Sequence, residues 1–434
     1  MSLNSNPDRK NPNSTGRIIM ASLVGTSIEF YDFYIFATAA ALVLGPLFFP
    51  GESESAQLLS AFASFSIAFI ARPLGSAVFG HFGDRIGRKS TLVASLLIMG
   101  ISTTLIGLLP THAQIGIWAP IILCLLRFGQ GIGLGGEWGG AALLATENAP
   151  PGKRAWFGMF PQLGAPIGFI FANGLFLVLA ITLSDAEFRS WGWRIPFLIS
   201  AVMLALGLYV RLALVESPVF QSAMAREEKV KVPLLTLLRE HGRTTLLGTF
   251  AMVVCYALFY IATVFSLSYG TKTLGFSRQE FLSLEIIAIV FMALGILVSA
   301  ALADRYGRRP VMMTGMAAAA VSGFLMQPFF AGADPVAITA FLSLELFLMG
   351  ITFGPMGAFL PELFPTAVRY TGASVSYNIG GIIGASFAPA LAQWLVGQGG
   401  LAYVGGYVTV AALLSLFAVW RLKETRDSDL ASAS

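Results

Sequence analysis

The chain is poor in charge, in cysteine and in histidine. Of its 434 residues only 12% are Asp, Glu, Lys or Arg, while 56% are hydrophobic. A soluble chain of this length needs a larger charged surface. Its two cysteines, Cys124 and Cys255, sit in apolar runs and give no disulfide framework. The three histidines, His81, His112 and His241, are scattered without metal-ligand spacing, so no metal site is expected. No GxxxxGK[ST] loop is present to cradle nucleotide phosphates, which argues against ATP-driven work. Neither enzyme chemistry nor a cofactor is expected.

What the chain has instead is length of apolar sequence, with a mean hydropathy of +0.75. Runs of about twenty apolar residues read as transmembrane helices. Twelve are expected: 18–47, 58–79, 90–109, 116–145, 156–181, 194–214, 244–270, 282–302, 311–331, 335–361, 370–396 and 401–421. The first is too long and too acidic for a signal peptide, and no A-x-A site follows it, so it should remain as a helix. This gives an all-α polytopic membrane protein. Its parts are a tail at 1–16, a six-helix bundle at 17–215, a polar linker at 216–243, a second bundle at 244–421 and a tail at 422–434.

Placement of the basic residues then orients the chain. With both termini in the cytoplasm, the outside receives only Arg189, Arg194, Lys272 and Arg278, and Arg72, Arg127 and Arg211 stay within spans. The rest fall inside. Topology therefore explains the net charge of +4, and no nucleic-acid partner is expected. The two halves also echo each other: "GDRIGRK" (83–89) returns as "ADRYGRR" (303–309), and "ENAPPGKR" (147–154) as "ELFPTAVR" (362–369). Transporters build two gates around one central site from repeats of this kind.

These residues carry a family pattern. "GHFGDRIGRK" (80–89) and "RFGQGIGLGGEWGG" (127–140) resemble the major facilitator superfamily motifs of helices 2–3 and 4. With "IEFYDF" and "ARPLGS" (71–76), the chain is similar to that superfamily's metabolite:proton symporters, which include shikimate, citrate, α-ketoglutarate and proline/betaine transporters. The resemblance covers the whole chain. It implies two six-helix bundles that rock about a central cavity, residence in the inner membrane, and a monomer.

Glu29 and Asp32 stand near the middle of the first span. One such carboxylate costs about 2.5–3.5 kcal/mol at a bilayer centre on insertion scales. At i and i+3 they share a helix face, and burial disfavours the charged form of an acid, so Asp32, then Glu29, is expected to carry a proton. Arg127 lies about ten residues, roughly 15 Å, into a helix entering from the other side, at a depth close to that of Asp32. An Arg⁺ that approaches or leaves Asp32 would load and release that proton. The resemblance to proton-coupled sugar porters implies the same pair. It also places a Glu, an Arg and a substrate-contacting Gln at Glu147, Arg154 and Gln162.

Arg72 and Glu137 form a second buried set, either paired or with Arg72 drawing an anionic substrate. Glu345 stands alone in the tenth span without a role in the pattern. Tyr31, Tyr256, Tyr260, Tyr377 and Asn378 are further candidate substrate contacts, since buried Tyr and Asn seek hydrogen-bond partners. Asp84, Arg85, Arg88, Asp304, Arg305 and Arg308 read as gate elements, with an acid capping a helix N-terminus of the opposite half and arginines bridging Glu147 or Glu362; Arg154 and Arg369 belong to the same gate. Ala303 stands where the first repeat has Gly83, which leaves the tightness of the second turn open. The glycines Gly131, Gly135 and Gly139 have the small-xxx-small spacing of close helix contact. The expected activity is proton-coupled uptake of a small organic acid or zwitterion, driven by the proton gradient. A proton antiporter that exports metabolites or drugs, or a non-transporting receptor, is the alternative.

Overall fold

The computed structural model describes residues 15–51, 53–86, 88–212, 233–365 and 368–428. Linker residues 216–232 and the side chains of Asp84, Arg85 and Arg88 lie outside the described residues. Every described element is helical. The spanning helices are α1 (Ser22–Phe48), α2 (Glu54–Phe79), α3 (Arg88–Leu108), α4 (Trp118–Glu147), α5 (Arg154–Thr182), α6 (Gly192–Val210), α7 (Gly242–Lys272), α8 (Arg278–Tyr306), α9 (Arg308–Phe330), α10 (Pro335–Glu362), α11 (Arg369–Gly399) and α12 (Leu401–Arg421). Eleven of these are long and apolar enough to cross a membrane, and Val93–Leu108 within α3 is a shorter apolar helix.

Local chemistry sets the ends. Ser277 and Glu280 form a reciprocal capping box, so α8 begins inside polar sequence and extends beyond the expected 282–302. Asp334 caps α10, with Pro335 at its first turn. At the other end of α8, Gly307 has φ of +107°, a conformation an L-residue rarely adopts. The second turn is thus made at Gly307 despite Ala303.

Packing divides the helices into two bundles. In the first, α1 packs on α5 and α6, α2 on α4, and α3 on α4 and α6; in the second, α7 packs on α11 and α12, α8 on α10, and α9 on α12. The bundles meet along α5–α8 and α2–α11. A Cβ at Gly135 would fall well inside contact distance of the Arg72 carbonyl oxygen, and one at Gly131 would do the same at Ala68. The small-residue spacing of α4 thus lets its backbone lie directly on α2. Both α4 and α10 break at matching places, after Leu134 and after Phe353. α1, α7 and α11 each contain one π-helical turn, at Ala40–Leu44, Ile261–Phe265 and Ile382–Ser386. Between α6 and α7, Pro233–Glu240 forms a short helix.

Candidate transport site

Aromatic rings from both bundles fill the centre. Tyr34 of α1 stacks on Phe259 of α7 at 4.9 Å, Phe65 of α2 meets Tyr260 at 5.4 Å, and Phe69 meets Tyr260 at 5.7 Å. Trp138 of α4 lies flat on Tyr377 of α11, with centroids 4.0 Å apart and planes 5° apart. Tyr256 donates to the Tyr377 carbonyl at 3.3 Å. Offset and edge-to-face pairs of this kind add about 0.5–1.5 kcal/mol each beyond area burial.

Arg72 is held in this aromatic centre. Its guanidinium carbon lies 4.5 Å from the Phe33 ring centroid and 4.3 Å from that of Phe69. The residue is 4% exposed, and its Nε has no partner. Among the described residues its guanidinium makes neither a hydrogen bond nor an ion pair. Glu137, the acid considered as its partner, instead accepts from Ser95 at 2.6 Å. Tyr256, Tyr260 and Tyr377 lie within electrostatic range of Arg72, and Glu29 lies within range of Tyr377.

The expected Asp32–Arg127 ion pair is absent from this arrangement. Arg127 is fully buried, 3.8 Å over the Phe36 ring, and donates to Gln130 Oε1 at 2.5 Å and the Phe65 carbonyl at 3.0 Å. Asp32 accepts from the Ser200 hydroxyl of α6. The reason is lateral: similar depth does not bring the side chains together, because the rings of Phe33, Phe36 and Phe65 surround the guanidinium. Polar groups lie between them. Gln130 Nε2 donates to Thr103 Oγ1 at 2.6 Å, Thr103 donates its own proton to the Met99 carbonyl at 2.9 Å, and Thr103 stands close to Asp32.

The remaining candidates divide by location. Gln162 bridges the bundles, accepting from Trp138 Nε1 at 2.9 Å and donating to the Phe353 carbonyl at 3.0 Å, beside the break in α10. Asn378 also bridges them, donating to Ser76 at 2.7 Å and to the Gly135 carbonyl at 3.0 Å. Tyr31 is turned into the first bundle, donating to the Pro196 carbonyl at 2.8 Å. Glu345 lies inside the second bundle against Ser322 of α9.

On the side that carries the chain termini, Glu362 gathers a charged cluster. It takes Arg308 through Nε and Nη2, both at 3.2 Å, Arg154 at 3.5 Å, and the Thr425 hydroxyl at 2.6 Å. Asp304 of α8 accepts from the backbone N–H groups of Ala155 and Trp156, each at 2.9 Å. The acid of one half thus caps a helix of the other. Arg369 lies within electrostatic range of Glu147, Arg154 and Glu362. Arg305 stands apart from this cluster, over the Tyr306 ring. On the opposite side Arg278 bonds Asp185 at 2.5 Å, and Ser386 donates to the Ser66 carbonyl at 3.3 Å. Contacts therefore join the halves at both ends.

Sequence reasoning missed several members. Trp138 sits inside the quoted helix 4 motif but carries no charge to draw attention. Ser200 and Gln130 give no periodic signal. Glu424, whose carboxylate accepts from the N–H groups of Arg308 and Arg309 at 2.9 Å each, lies in a tail that reads as solvated. Glu285 of α8 is 1% exposed with neither carboxylate oxygen partnered; its place on the stripe Phe281, Ala288, Ile289, Met292 could have revealed it.

Two helical bundles that close over a buried aromatic and ionic centre, with charged ties at their rims, define a secondary transporter of the major facilitator type, not an enzyme. The chain belongs to the sugar (and other) transporter family, whose model matches residues 18–240 and 222–434. It is similar to the inner membrane metabolite transport protein YhjE of Escherichia coli (strain K12), 56% identical over 423 residues and 96% of each chain. The shikimate transporter of the same strain is 37% identical, over 94% of this chain and 95% of the relative. Among solved structures, the proton:xylose symporter XylE bound to 6-bromo-6-deoxy-D-glucose superposes with a TM-score of 0.76. That match has 19% identity and covers 96% of this chain and 98% of that one.

Proposed function

We propose that this protein is an inner-membrane symporter that takes up a small carboxylate or zwitterion together with a proton. Both termini lie in the cytoplasm, the monomer is the working unit, and the proton gradient replaces any cofactor. The observation that carries this reading is Arg72: a buried guanidinium that has no anionic partner among the described residues, between two rings, in a centre shared by both bundles. An intramembrane cation left this way is costly until an anion neutralises it. A substrate carboxylate supplies that anion, and Trp138, Tyr256, Tyr260 and Tyr377 give its apolar part a surface. Asp32 carries the proton, and the polar pair Thr103 and Gln130 between it and Arg127 responds to its charge state.

Proteoliposomes containing the purified protein test this with labelled shikimate, citrate, proline and betaine under an inward proton gradient. Accumulation that collapses with the gradient and is lost in Arg72→Gln supports the proposal. Accumulation only under a reversed gradient identifies an exporter. Binding without movement under either gradient identifies a receptor.

A further inference from the structure

α5 and α8 form a seam between the bundles, and its inner end is fixed. Ala155 and Ala303 share one buried cluster, and Asp304 accepts the backbone N–H of Ala155. Counting outward by eighteen residues on each helix reaches Asn173 on α5 and Glu285 on α8. Eighteen residues are five turns of α-helix, about 27 Å, so each lies on the helix face of its alanine; on α8 that face also carries Met292, Ile296 and Ser299, which pack on Gly350 and Gly354 of α10. Pro161 and Pro166 interrupt the α5 ladder between these points. The seam is nonetheless rejoined at its outer end, where Arg278 bonds Asp185.

Both positions hold buried, incompletely satisfied polar groups. Asn173 is 1% exposed; its Oδ1 accepts from Thr38 of α1 at 2.5 Å, and its Nδ2 has no partner. Glu285 is equally buried, and both its carboxylate oxygens lack a partner. Charged or titratable groups toward the outer ends of the elements packed around Glu285 include Tyr269 and Lys272 on α7, Glu345 on α10 with Asp334 at its cap, Arg278 and Glu280 on α8, and Asp185 at the outer mouth; Asp304, Arg305, Arg308, Arg309, Glu362 and Arg154 lie at the inner ends. Among the described residues none of these bonds to it. A carboxylate in such a place is heavily destabilised as an anion.

We propose that Glu285 is a proton-binding site in the outer half of α8, on the face turned to α10, separate from Asp32. The site's part in transport rests on the proton-coupled reading above; its chemistry does not.

The test needs no substrate. Melting temperatures of the purified protein in detergent are measured between about pH 5 and 9 for wild type, Glu285→Gln, Asp32→Asn and Asn173→Leu. Deprotonation in place strands a buried anion, so wild-type stability falls as pH rises. Glu285→Gln, an uncharged near-isostere, is expected to lose at least half of that slope and to melt above wild type at the alkaline end. Asn173→Leu, on the other helix and bonded to Thr38 of α1, is expected to leave the wild-type slope in place. A Glu285→Gln curve parallel to wild type overturns the proposal. A melting-temperature rise on exchanging choline for sodium, present in wild type and lost in Glu285→Gln, also overturns it, in favour of a sodium site. Should Glu285→Gln not fold, the carboxylic-acid infrared band of wild type and Glu285→Asp under the same titration decides: a band that neither shifts nor titrates refutes the site. A flat Glu285 result leaves Asp32 coupling untouched. Substrate movement without protons leaves the Glu285 slope in place, so the two readings fail separately.

Discussion

Replacing Glu362 with Gln is the sharpest perturbation of the cluster on the side of the termini. The carboxylate is 1% exposed and faces an Arg308 side chain that is also 1% exposed, through Nε and Nη2 at 3.2 Å each. Removing one member of a buried pair costs about 3–5 kcal/mol, chiefly because the other charge is stranded. Arg308 keeps a second acid, Asp304 at 3.2 Å, so the lower end of that range applies. The Arg308 pair lies within the second bundle and persists in both arrangements; the contact that the closed side alone makes is the one across the bundles to Arg154, at 3.5 Å with the Arg154 side chain 22% exposed. A part-exposed pair of this kind is worth about 1 kcal/mol, which moves the closed-to-open ratio by roughly 5-fold. Cys255 supplies a built-in reporter. It lies in the middle of α7, 1% exposed, with its thiol donating to Thr352 of α10 at 3.4 Å. With the half-buried Cys124 replaced by Ser, alkylation of Cys255 by a water-soluble maleimide follows opening of the centre. The Glu362→Gln rate is expected to rise by about 5-fold over its parent. An unchanged rate in a variant with normal melting behaviour would refute the idea that this cluster holds the side shut.

Gly135→Ala pushes a methyl into the Arg72 carbonyl; overpacking of about 1–3 kcal/mol should lower the melting temperature and weaken carboxylate binding together. Gln162→Ala leaves the Trp138 indole N–H and the Phe353 carbonyl without their partners, a loss of about 1–3 kcal/mol read as a lower melting temperature. Gln162→Glu should not rescue it, because a carboxylate has no N–H for Phe353. Wild-type uptake is expected to rise as external pH falls if the proton is a co-substrate as proposed, and Asp32→Asn should flatten that profile in the same vesicles. Arg305→Gln, outside the charged cluster, should leave Cys255 labelling at the parental rate, whereas Arg308→Gln should accelerate it.

Composition and run length were enough for the fold, because a bilayer leaves few options for an apolar chain. Backbone polar groups must be satisfied within each segment, so every such run becomes a helix. Repeats made one gate contact legible: an acid at the start of "ADRYGRR" has a helix N-terminus as its natural partner, and Asp304 has found the first turn of α5. The tail contact was not legible. Glu424 earns no signal in its own neighbourhood, and its role depends on α9 starting beside it in space, 115 residues away in sequence. Breaks in α4 and α10 were hidden for a similar reason, since their glycines read equally well as packing positions.

Arg127 and Asp32 show the boundary most clearly. Depth along a helix follows from counting residues, whereas the direction of a side chain depends on what fills the space between helices. Here that space holds Phe33, Phe36 and Phe65, and their faces take the guanidinium. This placement fits a coupling role better than a standing ion pair does. An acid that kept the same partner in every state would have nothing to convert proton binding into movement, because only contacts that differ between states shift their balance. With both ends of the bundles tied, Asp32 rests on Ser200, and the polar groups between it and Arg127 are Thr103 and Gln130. A direct pair then belongs to a different arrangement of α1 against α4. If so, Thr103→Val, which removes the polar group between them without touching either charge, should uncouple proton from substrate while leaving Arg72 able to bind a carboxylate. Intact coupling in Thr103→Val would return the role to direct contact between Asp32 and Arg127.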